Sequence, residues 1–116
     1  NVIVSDNTGR VGGAMMLQTS SPTMANVAIA GNTVYIITGI YADSSTPFLS
    51  YCDTYGHVPD DYGGMTDPTG SDSNLSVDPL FFDTSASETL DWDLHLDTAS
   101  ILIDAGDPDV HADAGC

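Results

Sequence analysis

The chain has 116 residues, of which seventeen are Asp or Glu against a single Arg, giving a formal net charge of −16. That balance excludes nucleic acid as a partner and disfavours an anionic membrane surface, because both would repel it. The length allows one small domain, no apolar run approaches the roughly 18 residues of a membrane span, and such self-repulsion calls for bound divalent metal, salt or both.

Residues 1–50 are one stretch written twice. At a shift of 25, six positions are identical: Asn1/Asn26, Val2/Val27, Asn7/Asn32, Thr8/Thr33, Ser20/Ser45 and Pro22/Pro47. Near matches include Val4/Ile29, Met15/Ile40 and Met24/Leu49. A period of this size marks an array in which each unit buries its apolar side only by stacking on the next. Within each copy short β-branched runs alternate and Asn, Gly, Ser and Pro fall between them, so each reads as a coil of short strands joined by bends. Asn suits such bends, since it tolerates the left-handed backbone region. Stacked coils would place Asn1 over Asn26 and Asn7 over Asn32, two columns able to pass amide hydrogen bonds from coil to coil.

A third copy opens at Tyr51, with Cys52 at the core position of Val2 and Val27 and His57 where Asn7 and Asn32 stand. Cys52 reads either as a small buried residue or as half of a disulfide with Cys116. Residues 57–74 are poor in apolar residues and dense in Gly, Pro, Asp, Ser and Thr, so a long surface loop is expected there. Strand signals return at Leu75–Val77, and Pro79–Phe82 supplies bulky cover. Leu90, Trp92, Leu94 and Leu96 then alternate with Asp91, Asp93, His95 and Asp97, the cleanest period of two in the chain. Ile101–Ile103 reads as a last strand, and the large residues of this half are expected to cover the final coil. The organisation is therefore coils over 1–56, a loop over 57–74, and final strands with closure over 75–116. The repeat begins at the first residue and the last motif is cut short, so a longer parent chain is expected.

The coil pattern, with Asp78-Pro79-Leu80-Phe81 and Ile103-Asp104-Ala105-Gly106-Asp107-Pro108 behind it, resembles the right-handed parallel β-helix proteins, both the pectate-lyase-like folds and the bacterial surface proteins built on them. The resemblance implies an all-β solenoid fragment of about 25 residues per coil, with two to four coils and one long loop. It also implies an extracellular or cell-surface location, and a structural or adhesive role with self-association or stacking on preceding coils. The family often carries a calcium-like Asp tail at this end.

For chemistry, Asp104, Asp107, Asp109 and Asp113 crowd around a Gly and a Pro. Calcium takes six to eight oxygens from such loops, while a solvated acidic turn explains them equally. Asp60, Asp61, Asp67 and Asp72 form a looser second cluster. Asp91 and Asp93 lie about 6–7 Å apart along a strand, a separation that suits paired glycosidase carboxylates as well as a solvated face. Lys is absent and Arg10 aligns with Tyr35, so no basic column forms to take the proton a lyase must remove. The lyase activity of the resembled fold is not carried over, and a glycan-binding or glycan-cleaving β-helix stands as the alternative.

Overall fold

The computed structural model describes residues 2–88 and 91–109, and all regular structure among them is β. Twelve strands are present among the described residues: β1 (Val2–Val4), β2 (Thr8–Gly9), β3 (Met15–Gln18), β4 (Thr23–Ala25), β5 (Val27–Ala30) and β6 (Thr33–Val34), then β7 (Thr38–Asp43), β8 (Phe48–Ser50), β9 (Asp53–Tyr55), β10 (Asp60–Gly63), β11 (Phe81–Asp83) and β12 (Asp93–Leu96).

Strands neighbouring in sequence do not pair in the first fifty residues. Each pairs in parallel with the strand 25 residues on: Val2↔Val27, Thr8↔Thr33, Met15↔Ile40 and Thr23↔Phe48. The sheets run β1-β5-β9, β10-β7-β3, β2-β6 and β4-β8. Because side chains alternate along a strand, this register stacks like upon like. Val4, Ile29 and Thr54 form one inward file, and Met15, Ile40 and Tyr62 another. Leu17, Ile29, Ile40, Leu49, Cys52 and Tyr62 make the buried core, with Val4, Met15, Met24, Val27 and Met65 against it. Ile29 and Ile40 are wholly inaccessible.

The third segment departs from the loop expected over residues 57–74. Strand β10 lies inside that range and pairs with β7 at a register of 22, as Asp60↔Thr38 and Tyr62↔Ile40. A segment three residues shorter loses its match at a fixed period of 25, and Tyr62 takes the inward place that Met15 and Ile40 hold in the earlier segments. The chain then starts a fourth passage, where Leu75 bridges Asp53.

The C-terminal half also differs from its sequence reading. Only Asp93–Leu96 of the alternating run is a described strand, and it pairs antiparallel with β11. Ile101–Ile103 is a turn, not a strand: the Ser100 hydroxyl accepts the Leu102 N–H, and Ile101 and Ile103 stay exposed. Leu75 covers part of the β9 edge, but Phe81, Leu96 and Leu102 lie along the outer side of β1-β5-β9. The Asp107 N–H reaches Asn26 Oδ1 at 2.7 Å, tying this half to the second segment. Cys52 is buried and free, and Cys116 lies outside the described residues.

Candidate functional site

The groups that join one segment to the next are the most organised polar feature of the molecule. Asn32 Oδ1 accepts both the backbone N–H and the Nδ2 of Asn7, each at 3.0 Å. That fixes the amide orientation, so Asn32 Nδ2 faces Val4 O at 2.9 Å and His57 Nε2 at 3.3 Å. Nδ2 also lies 3.3 Å from Ala30 O, and across the ring His57 Nδ1 lies 2.7 Å from Asp61 Oδ1. The other Asp61 oxygen accepts from the Ser76 hydroxyl. Asn32 and His57 are both buried, and inside a protein such a fully satisfied network is rigidifying. The Asn7/Asn32 column expected from the sequence is present and continues through His57. Asn1 lies outside the described residues, and Asn26 turns its amide oxygen to Asp107.

Parallel files repeat the device at the same spacing. The Ser20 N–H donates to Ser45 Oγ, the Thr46 N–H to Ser21 Oγ, and Gln18 Nε2 to Asp43 Oδ2. Asn74, wholly buried, accepts the Cys52 N–H and donates to Leu49 O and Ser71 O. The bends fall in register too. Asn26, Tyr51 and Ser73 hold φ of 57°, 51° and 60°, and Asp6, Gly31 and Gly56 hold 55°, 69° and 80°.

Charge is divided sharply along the chain. Asp6, Arg10 and Asp43 are the only charged side chains in residues 1–50, so the remaining fifteen acids lie in 51–116. Among the described acids Asp53 is the one deeply enclosed, at 3 % exposure. Its Oδ1 accepts the Val77 N–H, while its Oδ2 is buried without a partner. Burial raises its pKa to about 6, opposed by the Val77 hydrogen bond and helped by Asp61 and Asp78. Burial likewise pushes the Tyr62 hydroxyl up to about 12 and raises the Cys52 thiol. On the surface, Asp83 is lowered by its hydrogen bonds from Ser85, and Asp93 by those from His95.

Asp104, Asp107 and Asp109 lie on successive turns, and Asp113 is outside the described residues. Asp107 Oδ1 accepts the Asp109 N–H, and Asp104 holds φ of 60°. Among the described residues no three His, Cys, Asp or Glu gather closely enough to hold a metal ion. In the second cluster, Asp67 caps Thr69 and Asp61 is taken up by His57, while Asp60 and Asp72 are exposed. Asp91 precedes β12 and Asp93 lies within it, facing Asp83 across the hairpin.

A cleft of about 760 Å³ separates the outer side of β1-β5-β9 from the C-terminal half. Ile3, Ala28 and Asp53 line one wall, Phe81 and Leu102 the other, with Asp104 and Asp107 among its polar groups. It is mixed in character and able to take an apolar body carrying hydrogen-bond donors. Neither Asp91 nor Asp93 lines it. Asp53 and the ladder role of Asn74 were not singled out from the sequence. Counting 22 rather than 25 residues from Cys52 is the signal that reaches Asn74. Comparison with known proteins finds no matching family model, no matching curated protein and no matching solved structure.

Proposed function

We propose that the chain is a non-catalytic structural or adhesive segment of a secreted, right-handed parallel β-helix at a cell surface, whose open edge stacks on further coils or copies. The observation that supports this reading is the file Asn7–Asn32–His57. Hydrogen bonds join it across three segments, so that each segment is held by the next through both backbone and side chains. Such a file stiffens a rod and has no turnover chemistry of its own. The fifteen acids of residues 51–116 make that half a cation-binding surface, and Asp104, Asp107, Asp109 and Asp113 are the residues that would offer calcium its oxygens.

Two measurements test this. Thermal unfolding with millimolar calcium is expected to shift upward beyond any shift from sodium or magnesium at matched ionic strength, and to return with excess chelator. If calcium and plain salt act alike, the calcium assignment falls. A glycan panel assayed for binding, new reducing ends and unsaturated products is expected to give nothing. Binding or product release would favour the carbohydrate reading instead, with the 760 Å³ cleft as its place.

A further inference from the structure

The four strands of the first segment, β1, β2, β3 and β4, are each the outermost strand of their sheet, and all four open to the same side. This edge is written in the same code as the junction beneath it. At that junction Thr33, Tyr35 and Phe48 donate their N–H groups to Asn7 O, Gly9 O and Pro22 O of the preceding segment. Their counterparts one register back are Thr8, Arg10 and Thr23. Thr38 O, Gly39 O and Asp43 O accept from Gly13, Ala14 and Thr19, and the counterparts of those acceptors are Gly13, Ala14 and Gln18. The side-chain acceptors Asn32 Oδ1 and Ser45 Oγ likewise have Asn7 Oδ1 and Ser20 Oγ as their counterparts. Repeated at the same 25-residue register, these groups point to the unpaired edge. Exposed Val2, Ile3 and Met16 lie along it.

We infer that this edge is a docking surface for a parallel-running segment of about 25 residues with this chain's own pattern, one that sets N–H groups over Asn7 Oδ1 and Ser20 Oγ and so continues the two side-chain files. The inference rests on the β-helix reading proposed above and fixes the partner, its direction and its register. Charge agrees with it. The first two segments carry only Asp6, Asp43 and Arg10, so an uncharged segment meets no repulsion there. A second copy fits less well. Its far end is where the acids gather, where Leu75 already occupies part of the β9 edge, and where the chain turns away to form the β11/β12 hairpin.

The test is amide hydrogen exchange on the full chain and on a version extended at its N-terminus by a second copy of residues 1–25. In the native chain Thr33, Tyr35 and Phe48 are expected to be protected, with Thr8, Arg10 and Thr23 exchanging freely. In the extended chain the last three are expected to slow at least about tenfold. As a second arm that requires no refolding of a new protein, a synthetic peptide of residues 1–25 added to the native chain is expected to slow the same three amides. A scrambled peptide is expected to leave them unchanged. No slowing in either arm overturns the docking surface while leaving the β-helix reading intact. Unprotected Thr33, Tyr35 and Phe48 in the native chain would overturn both. Concentration-dependent protection of Thr8, Arg10 and Thr23 in the native chain alone would assign the edge to a second copy and overturn the partner inferred here.

Discussion

Gly39 and the His57 ring share one space: a Cβ on Gly39 would lie 2.5 Å from His57 Cγ and 2.7 Å from Nδ1. The ring cannot easily yield, because Asp61 holds one nitrogen and Asn32 meets the other. One junction earlier the counterparts are Ala14 and Asn32, a larger residue matched with a smaller one. The pair is therefore a compensated exchange of volume between neighbouring segments.

Gly39→Ala alone is expected to destabilise the fold by about 2 kcal/mol through overpacking. His57→Asn is expected to relieve most of that loss, since the double variant restores the pairing found at Ala14 and Asn32. A double-mutant cycle by denaturant unfolding reads the coupling, expected at about 1 kcal/mol or more. Additive effects would mean that the two residues do not compete for space.

Asn74 should be the costliest of the ladder side chains. It is wholly buried and joins Cys52 N–H, Leu49 O and Ser71 O. Asn74→Ala leaves a buried donor and two carbonyls without it, a loss of about 3 kcal/mol on the usual scale of unmade buried hydrogen bonds. Ser21→Ala, which removes exposed hydrogen bonds with the Thr46 hydroxyl and N–H, is expected to cost less than about 1 kcal/mol. Urea midpoints of the two variants check the ranking, and equal shifts would show that burial does not set the worth of these files.

The pairs that were legible from sequence are those where period and chemistry coincide. Asn7 and Asn32 match in type and fall 25 apart, so both the file and the parallel register of the first two segments could be read directly. The third segment was hidden for two physical reasons. Its register shortens to 22, and its inward file carries Thr54 and Tyr62 where the earlier segments carry aliphatic or Met side chains. The Ile101–Ile103 run misled because hydrophobicity does not encode the Ser100 hydroxyl that closes a turn under it. Asp53 gave no signal at all, since its burial is imposed by Leu75–Val77, a stretch met only after the chain has travelled through the whole third segment.

Thr19 holds φ of 48° on an exposed bend, in register with Ser44 at 50°. A β-branched residue is poorly suited to the left-handed region, which costs an L-residue about 1–2 kcal/mol. Thr19→Asn keeps a polar side chain and relaxes that cost without the unfolded-state penalty of glycine. A gain of about 0.5–1 kcal/mol is expected in chemical denaturation. A loss would show that the Thr19 side chain contributes something its exposed position does not reveal.

Asp53 makes a pH prediction whose sign follows from the direction of its shift. Its folded pKa of about 6 lies above the ordinary 3.8, so between these values the folded protein holds a proton that the unfolded chain has lost. Its contribution is most favourable below about pH 4, is lost as the pH rises through 6, and is flat above. The lowered Asp83 and Asp93 act in the opposite sense and only as the pH falls below their ordinary range, so the two windows separate. Asp53→Asn keeps an acceptor for the Val77 N–H and removes the buried charge. Relative to wild type it is expected to be near neutral at pH 4 and more stable by about 1–2 kcal/mol at pH 7. Asp60→Asn, at an exposed position, controls for the change in net charge. Urea unfolding of the three proteins from pH 4 to 7 measures this directly. A difference between Asp53→Asn and wild type that stays constant across the range would mean that the enclosed carboxylate is solvated or neutralised by a route the fold does not show.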